Sequence, residues 1–457
     1  MEDLVPQTIP ADLTTGNTWK NIWHMSWPML LVMFFNFIVG MTDIYVAGLL
    51  GPEIQAVAGF VGQLYFFIII IANAISIGTV AILSRAVGSG RFDDAVSSAR
   101  EALIFGGACA LLLTIPGFLL KDQIISLAGF SGSIRVTAAD FFIIYVLALA
   151  PNYMVILSNA VFRAGGDVRL TMTAMFLVSL LNIILDFLLV FGFLSFDGFG
   201  YRGIALAAAI SMSAGTVVCF LLLRKSRWKK IFSGTWHVSA GLIKRIAALS
   251  WPAAMIQISW SAANIIIYNI LSRLHDVSIT SMAALTNGLR IEAIIYLPVF
   301  ALNMAASVLT GQNLGAGAPE RAERIGWKIS LSGAAVITLM AIPAFIWARE
   351  ISSIITNDRS VLDETVRYLR ISMLSEPFMA VSVILAGSLT GAGDTKGAML
   401  AIVSTHLIVR LPLAYILAVP AGLGAAGVWI AMAMSIFFQG VGMTLRFRSG
   451  RWKEMKP

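Results

Sequence analysis

The sequence predicts an all-α membrane protein: twelve transmembrane helices in two six-helix lobes, related by a pseudo-two-fold axis along the membrane normal. Three observations lead there: twelve long apolar runs, a one-sided distribution of Lys and Arg, and an internal repeat of half the chain. Hydrophobic residues make up 58% of the 457 and charged residues 12%, about half the charged share of a soluble domain.

The runs are 24–48, 56–83, 99–120, 136–162, 168–193, 203–224, 246–272, 279–309, 325–348, 367–391, 397–418 and 424–445. Each exceeds the length at which a run of about 18 apolar residues becomes a candidate span. None alternates in the way a barrel strand would, so helices are expected. Span one carries Ser26-Trp27-Pro28 near its start. Pro28 is either an ordinary first-turn proline or a hinge, since proline removes a backbone donor and restricts its predecessor. Span two ends at Gly88 and Gly90, and span eight at Gly315 and Gly317, where glycine terminates helices. Asp167 and Asp394 precede spans five and eleven and are expected to cap them. Cys109 and Cys219 fall inside spans three and six and read as buried thiols, not a disulfide framework.

Assigning the N-terminus to the cytoplasm places 22 of the 32 Lys and Arg on that side and 8 on the other; Arg290 and Arg410 lie within spans. This positive-inside bias explains the net charge of +8 without nucleic acid as a partner. The first residues, with Glu2, Asp3 and Asp12, lack the basic start of a signal peptide. The predicted organisation is a cytoplasmic segment 1–23, an N-lobe 24–224, a basic cytoplasmic linker 225–245, a C-lobe 246–445 and a basic cytoplasmic tail 446–457. The linker's charge reads as an orientation determinant beside anionic lipid. A multi-pass plasma (inner) membrane protein with both termini cytoplasmic is expected.

The repeat has four parts. Ser26-Trp27-Pro28 recurs as Ser250-Trp251-Pro252, SRAVGSGRFDDA (84–95) parallels GQNLGAGAPERA (311–322), FRAGGDVR (162–169) parallels LTGAGDTK (389–396), and GFGYRGIALAAAIS (198–211) parallels GLGAAGVWIAMAMS (422–435). Four matches in order at nearly one shift mean a duplicated unit. Six spans per unit make both units start on one side, the architecture of transporters whose substrate site lies between halves at mid-membrane. No channel-filter segment occurs.

Within the apolar stretch NIILDFLLVFGF (182–193) the ionisable residue is Asp186. A carboxylate there is costly unless paired, protonated or functional. At about 1.5 Å per residue, Asp43 on span one and Asp186 on span five lie at one depth, ~27–28 Å from the inner end. Asn36 and Asn182 share a second level, ~18–21 Å deep. Matching Asn-below-Asp pairs on two helices predict one polar pocket, the alternative being exposure near the outer headgroups. Two carboxylates in such a pocket cannot both ionise cheaply. That suits a proton carrier, and the same oxygens with the amide of Asn182 suit Na⁺. Asn152, Asn159 and Met212 are assigned to the substrate cavity.

A second polar cluster lies in the C-lobe: Arg290 and Glu292 on span eight, His406 and Arg410 on span eleven, all near mid-membrane. Charges there must pair or meet water. Arg290 and Glu292 point to different faces, so Glu292 is expected to meet Arg410 or His406, either as a lobe-holding ion pair or in transport. Only four histidines occur, His24, His237, His275 and His406, at scattered places; no metal set or nucleophile–base pair emerges and the chain is not read as an enzyme.

The paired SWP, SRAVGSG, GQNLGAGAPERA, FRAGGD and TGAGDT motifs, with TDIYVAGLLG (42–51), resemble the multidrug and toxic compound extrusion (MATE) family over roughly 20–445. The likeness is closer to its DinF-like than its NorM-like branch. It implies export of cationic or amphipathic drugs by alternating access, driven by proton or sodium entry, with no other cofactor and a functional monomer. The DinF-like pattern of an aspartate on helix one and Asn-x-x-x-Asp on helix five matches Asp43, Asn182 and Asp186. The NorM-like acids of helices seven and ten are poorly matched: span seven offers Gln257, and span ten Glu376 near its outer end. Ala208 stands where the family often has a threonine. A flippase for a lipid-linked substrate on a related two-lobed fold is the alternative.

Overall fold

The computed structural model describes residues 12–126, 132–193, 197–233, 239–274 and 277–455; His237, His275 and the first eleven residues of the predicted N-terminal segment lie outside them. The helices are α1 (Thr18–Leu49), α2 (Pro52–Gly88), α3 (Phe92–Leu119), α4 (Lys121–Ser126), α5 (Gly132–Leu147), α6 (Leu149–Gly165), α7 (Val168–Phe191), α8 (Arg202–Lys225), α9 (Ala240–Ser272), α10 (Ser278–Gly315), α11 (Pro319–Ile346), α12 (Ala348–Ser353), α13 (Arg359–Met373), α14 (Glu376–Ala392), α15 (Thr395–Ser404), α16 (Leu411–Ala418) and α17 (Gly424–Arg448). Among the described residues ten helices are long and apolar enough to cross a membrane, and two helix pairs, bent by 46° between α5 and α6 and by 55° between α13 and α14, bring the number to the expected twelve when each pair is counted as one broken span.

Large apolar side chains point outward, among them Leu112, Leu339 and Ile408 at 69%, 70% and 71% exposure, while Asp186, Glu376 and Asn313 are fully buried. Apolar outside and polar inside inverts the soluble pattern and suits a lipid solvent.

The chain forms two compact units. One comprises residues up to Leu13 and Trp27–Ser250; the other comprises Thr14–Ser26 and Trp251–Pro457. These bounds depart from the sequence-based ones: the described linker residues belong to the first unit, and each SWP tripeptide marks a passage from one unit to the other within a continuous helix. Pro28 lies ten residues into α1 and Pro252 twelve into α9, so neither is a first-turn proline.

The duplicated segments perform duplicated jobs. A Cβ at Gly203, the start of α8, would lie 2.6 Å from the Leu189 carbonyl of α7. Its repeat Gly427 would lie 2.7 Å from the Leu417 carbonyl of α16. Only glycine permits such backbone approach. Asp394 caps α15 by accepting from Gly397 N (3.1 Å) and pairs with Arg446 through two bonds of 2.8 and 3.0 Å. Asp167 makes no side-chain cap, contrary to expectation. Its Oδ2 instead accepts from Arg227 Nε and Trp228 Nε1, both at 3.0 Å. Trp228 sits in a short 3₁₀ turn, Arg227–Phe232, matched in the second unit by Arg451–Glu454 with Trp452; both tryptophans are fully buried. RWKK and RWKE are thus a fifth repeat, closing each unit with an indole anchor. Arg100 further ties the linker to α3 through the carbonyls of Ile231 (2.8 Å) and Lys230 (2.7 Å).

Between α15 and α16 the helix widens to i→i+5 bonding over Thr405–Arg410. Pro412 lacks the N–H that would reach Ile408 and its ring crowds that carbonyl, which accounts for the local unwinding.

Candidate functional site

In the first unit α1 and α7 bring Asp43 and Asp186 together: the two carboxyl groups are hydrogen-bonding neighbours. Asp186 is fully buried and Asn182, one turn earlier, is 2% exposed. Both oxygens of Asp186, Oδ1 of Asp43 and Oδ1 of Asn182 have no protein donor among the described residues. Two ionised carboxylates in contact repel, whereas one proton between them makes a hydrogen bond. The geometry therefore favours one bound proton, or a cation accepted by the same oxygens.

Two tyrosines that sequence reasoning passed over complete this region. Tyr145 of α5 lies in electrostatic range of both aspartates and stacks on Tyr65 of α2 with centroids 4.9 Å apart. Asn152 Nδ2 donates to Tyr65 Oη at 2.8 Å. The signal was a tyrosine in each of spans two and four, since a buried phenol needs a partner for its hydroxyl.

The other N-lobe candidates are placed less centrally. Asn36 is exposed and its amide donates back to the Val32 carbonyl at 3.0 Å; no contact joins it to Asn182. Asn159, 8% exposed, donates to Met175 Sδ at 3.2 Å. Met212 is half-buried on α8, its carbonyl accepting from Thr216 Oγ1 at 3.1 Å. Among the described residues no three or more His, Cys, Asp or Glu group together as a metal set, so a metal cation at Asp43 and Asp186 would depend on amide and hydroxyl oxygens.

In the second unit Glu292 does not form the expected ion pair. It accepts from Ser372 Oγ and, at 2.9 Å, from Tyr296 Oη. Tyr296 also reaches Glu376 Oε1 at 3.3 Å. Glu292 and Glu376 are 2% and 0% exposed, making a second buried carboxyl pair, with Tyr368 in electrostatic range of Glu292. Arg410, 4% exposed, acts on Glu292 electrostatically, but its Nε donates to Ser435 Oγ at 2.8 Å. No carboxylate among the described residues lies within 4.0 Å of its guanidinium. His406 Nδ1 is 3.2 Å from Ser259 Oγ, not on Glu292. Arg290 is exposed and stands apart. The cluster is thus Glu292, Glu376, Tyr296, Tyr368, Ser372 and Arg410.

Comparison with known proteins identifies a family for the whole chain. The MatE family model matches residues 28–188 and 252–416, both matches opening on a proline of the repeated SWP. The probable multidrug resistance protein NorM of Thermotoga maritima is 24% identical over 442 residues, covering 95% of this chain and 93% of that protein. The FAD transporter of Shewanella oneidensis is 25% identical, covering 86% of each. The outward-facing conformation of a multidrug resistance MATE family transporter of the MOP superfamily superposes with a TM-score of 0.92 at 20% identity, covering 99% of this chain and 100% of that one.

Proposed function

The chain belongs to the MatE family of membrane transporters and is not an enzyme, and from that premise we propose that it is a secondary active antiporter. It exports cationic or amphipathic drugs in exchange for protons, by alternating access. The observation that carries this reading is the Asp43–Asp186 carboxyl pair. An acid pair that holds one proton in one state and releases it in another converts a pH gradient into a change in the relative stability of those states. Na⁺ on the same oxygens is the competing ion, and the two differ in what they ask of the site. A proton needs only the two acids, whereas Na⁺ would need several further oxygens around it. The protein works as a monomer in the plasma membrane with both termini cytoplasmic; the Lys and Arg distribution supports that orientation.

The test uses purified protein in liposomes loaded with ethidium. An imposed pH gradient is expected to drive transport, and a Na⁺ gradient at equal pH is not. Transport under Na⁺ alone would assign the acids to Na⁺, and transport under neither would remove the antiporter reading.

Pro28 precedes Asp43 by 15 residues within the same helix. A proline-interrupted ladder bends most easily, and we assign α1 a hinge there that responds to the state of the acid pair. Pro28→Ala is expected to leave ethidium affinity unchanged and to lower turnover roughly tenfold. Pro252→Ala should do less, because no acid follows on α9. Fluorescence-polarisation binding and liposome turnover check both; normal turnover in Pro28→Ala would leave that proline without a hinge role.

A further inference from the structure

We propose that the Asp43–Asp186 pair exchanges its proton with the cytoplasmic end of the first unit along a polar seam between α6 and α7, and that Arg163 closes this seam to uncoupled protons. The inference rests on the proton-coupled reading above and adds the route.

One face of α7 carries Thr171, Met175, Ser179, Asn182 and Asp186, spaced by three or four residues so that they line up along the helix. All are buried, at 1%, 6%, 4%, 2% and 0% exposure. One face of α6 carries Asn152, Asn159 and Arg163, spaced by seven and four. The Asn159–Met175 contact of 3.2 Å shows that these faces meet. The two helices run antiparallel through the tight turn at Gly166 and Asp167. Equal steps from that contact put Asn152 level with Asn182, and Arg163 level with Thr171. α2 adds a third polar face: Tyr65 bonds Asn152, and Ser76 accepts from Arg163 Nη2 at 2.9 Å. Thr79 lies one turn beyond Ser76.

This seam is polar yet largely unpaired within the protein. Thr79 Oγ1, Asn159 Oδ1, Thr171 Oγ1, Ser179 Oγ and Asn182 Oδ1 are all buried without a protein partner among the described residues. A buried orphan of this kind is costly, so a continuous set has to be met by something small and hydrogen-bonding. Water fits: from Ser179 to Asp186 the gaps along α7 are about one helical turn, ~5 Å, and the gap of about two turns from Thr171 to Ser179 is met by Asn159, which stands opposite Met175. Hydroxyl and water oxygens pass a proton by accepting one and releasing another, so the relay consumes no co-reactant. The amides of Asn182 and Asn159 hold the chain in place. From Asp186 to Thr171 the seam covers ~22 Å.

Arg163 stands at the inner end. Its guanidinium is bonded to the Ser76 hydroxyl, its Nε has no protein partner, and no carboxylate lies within 4.0 Å of it among the described residues. A fixed cation in a narrow water path repels protons. A coupled antiporter requires such a stop, since an open relay would dissipate the gradient without moving drug. The second unit lacks it: the residue equivalent to Arg163 in the repeat is Thr390.

The test is made in proteoliposomes with full-length protein. Ser179→Val puts an apolar plug at the centre of the seam. It is expected to slow pH-driven ethidium transport about tenfold, the rate equivalent of one lost hydrogen bond. Ethidium exchange at equal pH and the melting temperature should be unchanged, and Ser179→Thr should transport as wild type. Arg163→Gln is expected to dissipate an imposed pH gradient faster than wild type without drug, and adding Asp186→Asn should suppress that leak. Wild-type transport by Ser179→Val overturns the route, as does a loss shared equally by equal-pH exchange, which marks a packing role. An Arg163→Gln protein that folds and holds its gradient overturns the stop. If Arg163→Gln does not fold, the two Ser179 variants decide. Absence of pH-driven transport in the wild type removes the proton itself, a failure separate from either.

Discussion

Asp43→Asn and Asp186→Asn are each expected to abolish gradient-driven export, by at least about a hundredfold, while the protein still folds and inserts. The reason lies in the contact between the two carboxyl groups. An amide is nearly isosteric with a protonated carboxyl and still donates to the remaining carboxylate, so the hydrogen bond survives. What disappears is the exchangeable proton, and with it the difference in free energy between states that the gradient acts on. Because the two acids act as one unit, the double replacement should be scarcely worse than either single one. Ethidium transport under an imposed pH gradient, at matched protein incorporation, measures this. Wild-type rates in either single variant would take that residue out of the coupling step.

The first acid pair was legible in the sequence because two continuous helices carry it. Asp43 and Asp186 sit on unbroken α1 and α7, so counting 1.5 Å per residue put them at one depth and the structure has them in contact. Glu376 was less legible. Counting along span ten places it near the outer end, and that says nothing of its neighbours: the chain bends by 55° between α13 and α14, and Glu376 opens α14 with no exposure at all. A bend at Leu374–Ser375, inside an otherwise apolar run, leaves little trace in composition. Arg410 was misread for a related reason. Across Thr405–Arg410 the helix is widened, so the 100° step per residue no longer says which face a side chain takes. The tyrosines Tyr65 and Tyr145 were hidden differently: an aromatic in a span counts as apolar in a hydropathy window, and only its neighbours show that its hydroxyl is at work.

The second unit offers a sharp test of stability. Arg410→Met is expected to destabilise the protein by about 3–5 kcal/mol, the cost of leaving a buried charge without its counter-charge. Glu292 and Glu376 share Tyr296 and Ser372 as donors, and Arg410 is the buried cation in electrostatic range of Glu292. The guanidinium is the positive charge that an ionised Glu292 would face. Without it, the ionised carboxylate has hydroxyl donors only. Glu292→Gln alone is expected to cost a comparable amount, because it leaves the buried Arg410 guanidinium without the acid in its range. In the double variant the charge that Arg410 balanced is gone as well, so Glu292→Gln should recover a large part of the loss. The replacement also removes the bond from Arg410 Nε to Ser435 Oγ. Arg410→Lys, which keeps the charge but not the fork, separates the two contributions: it should lie nearer to wild type than to Arg410→Met. Thermal melts of the three single variants and the double, in one detergent and at one pH, give the coupling directly. Strictly additive losses would show that Arg410 holds the widened Thr405–Arg410 segment to α17 through Ser435 and does not act on Glu292. A recovery in the double variant would identify the guanidinium as the counter-charge that lets one acid of the pair stay ionised in the interior.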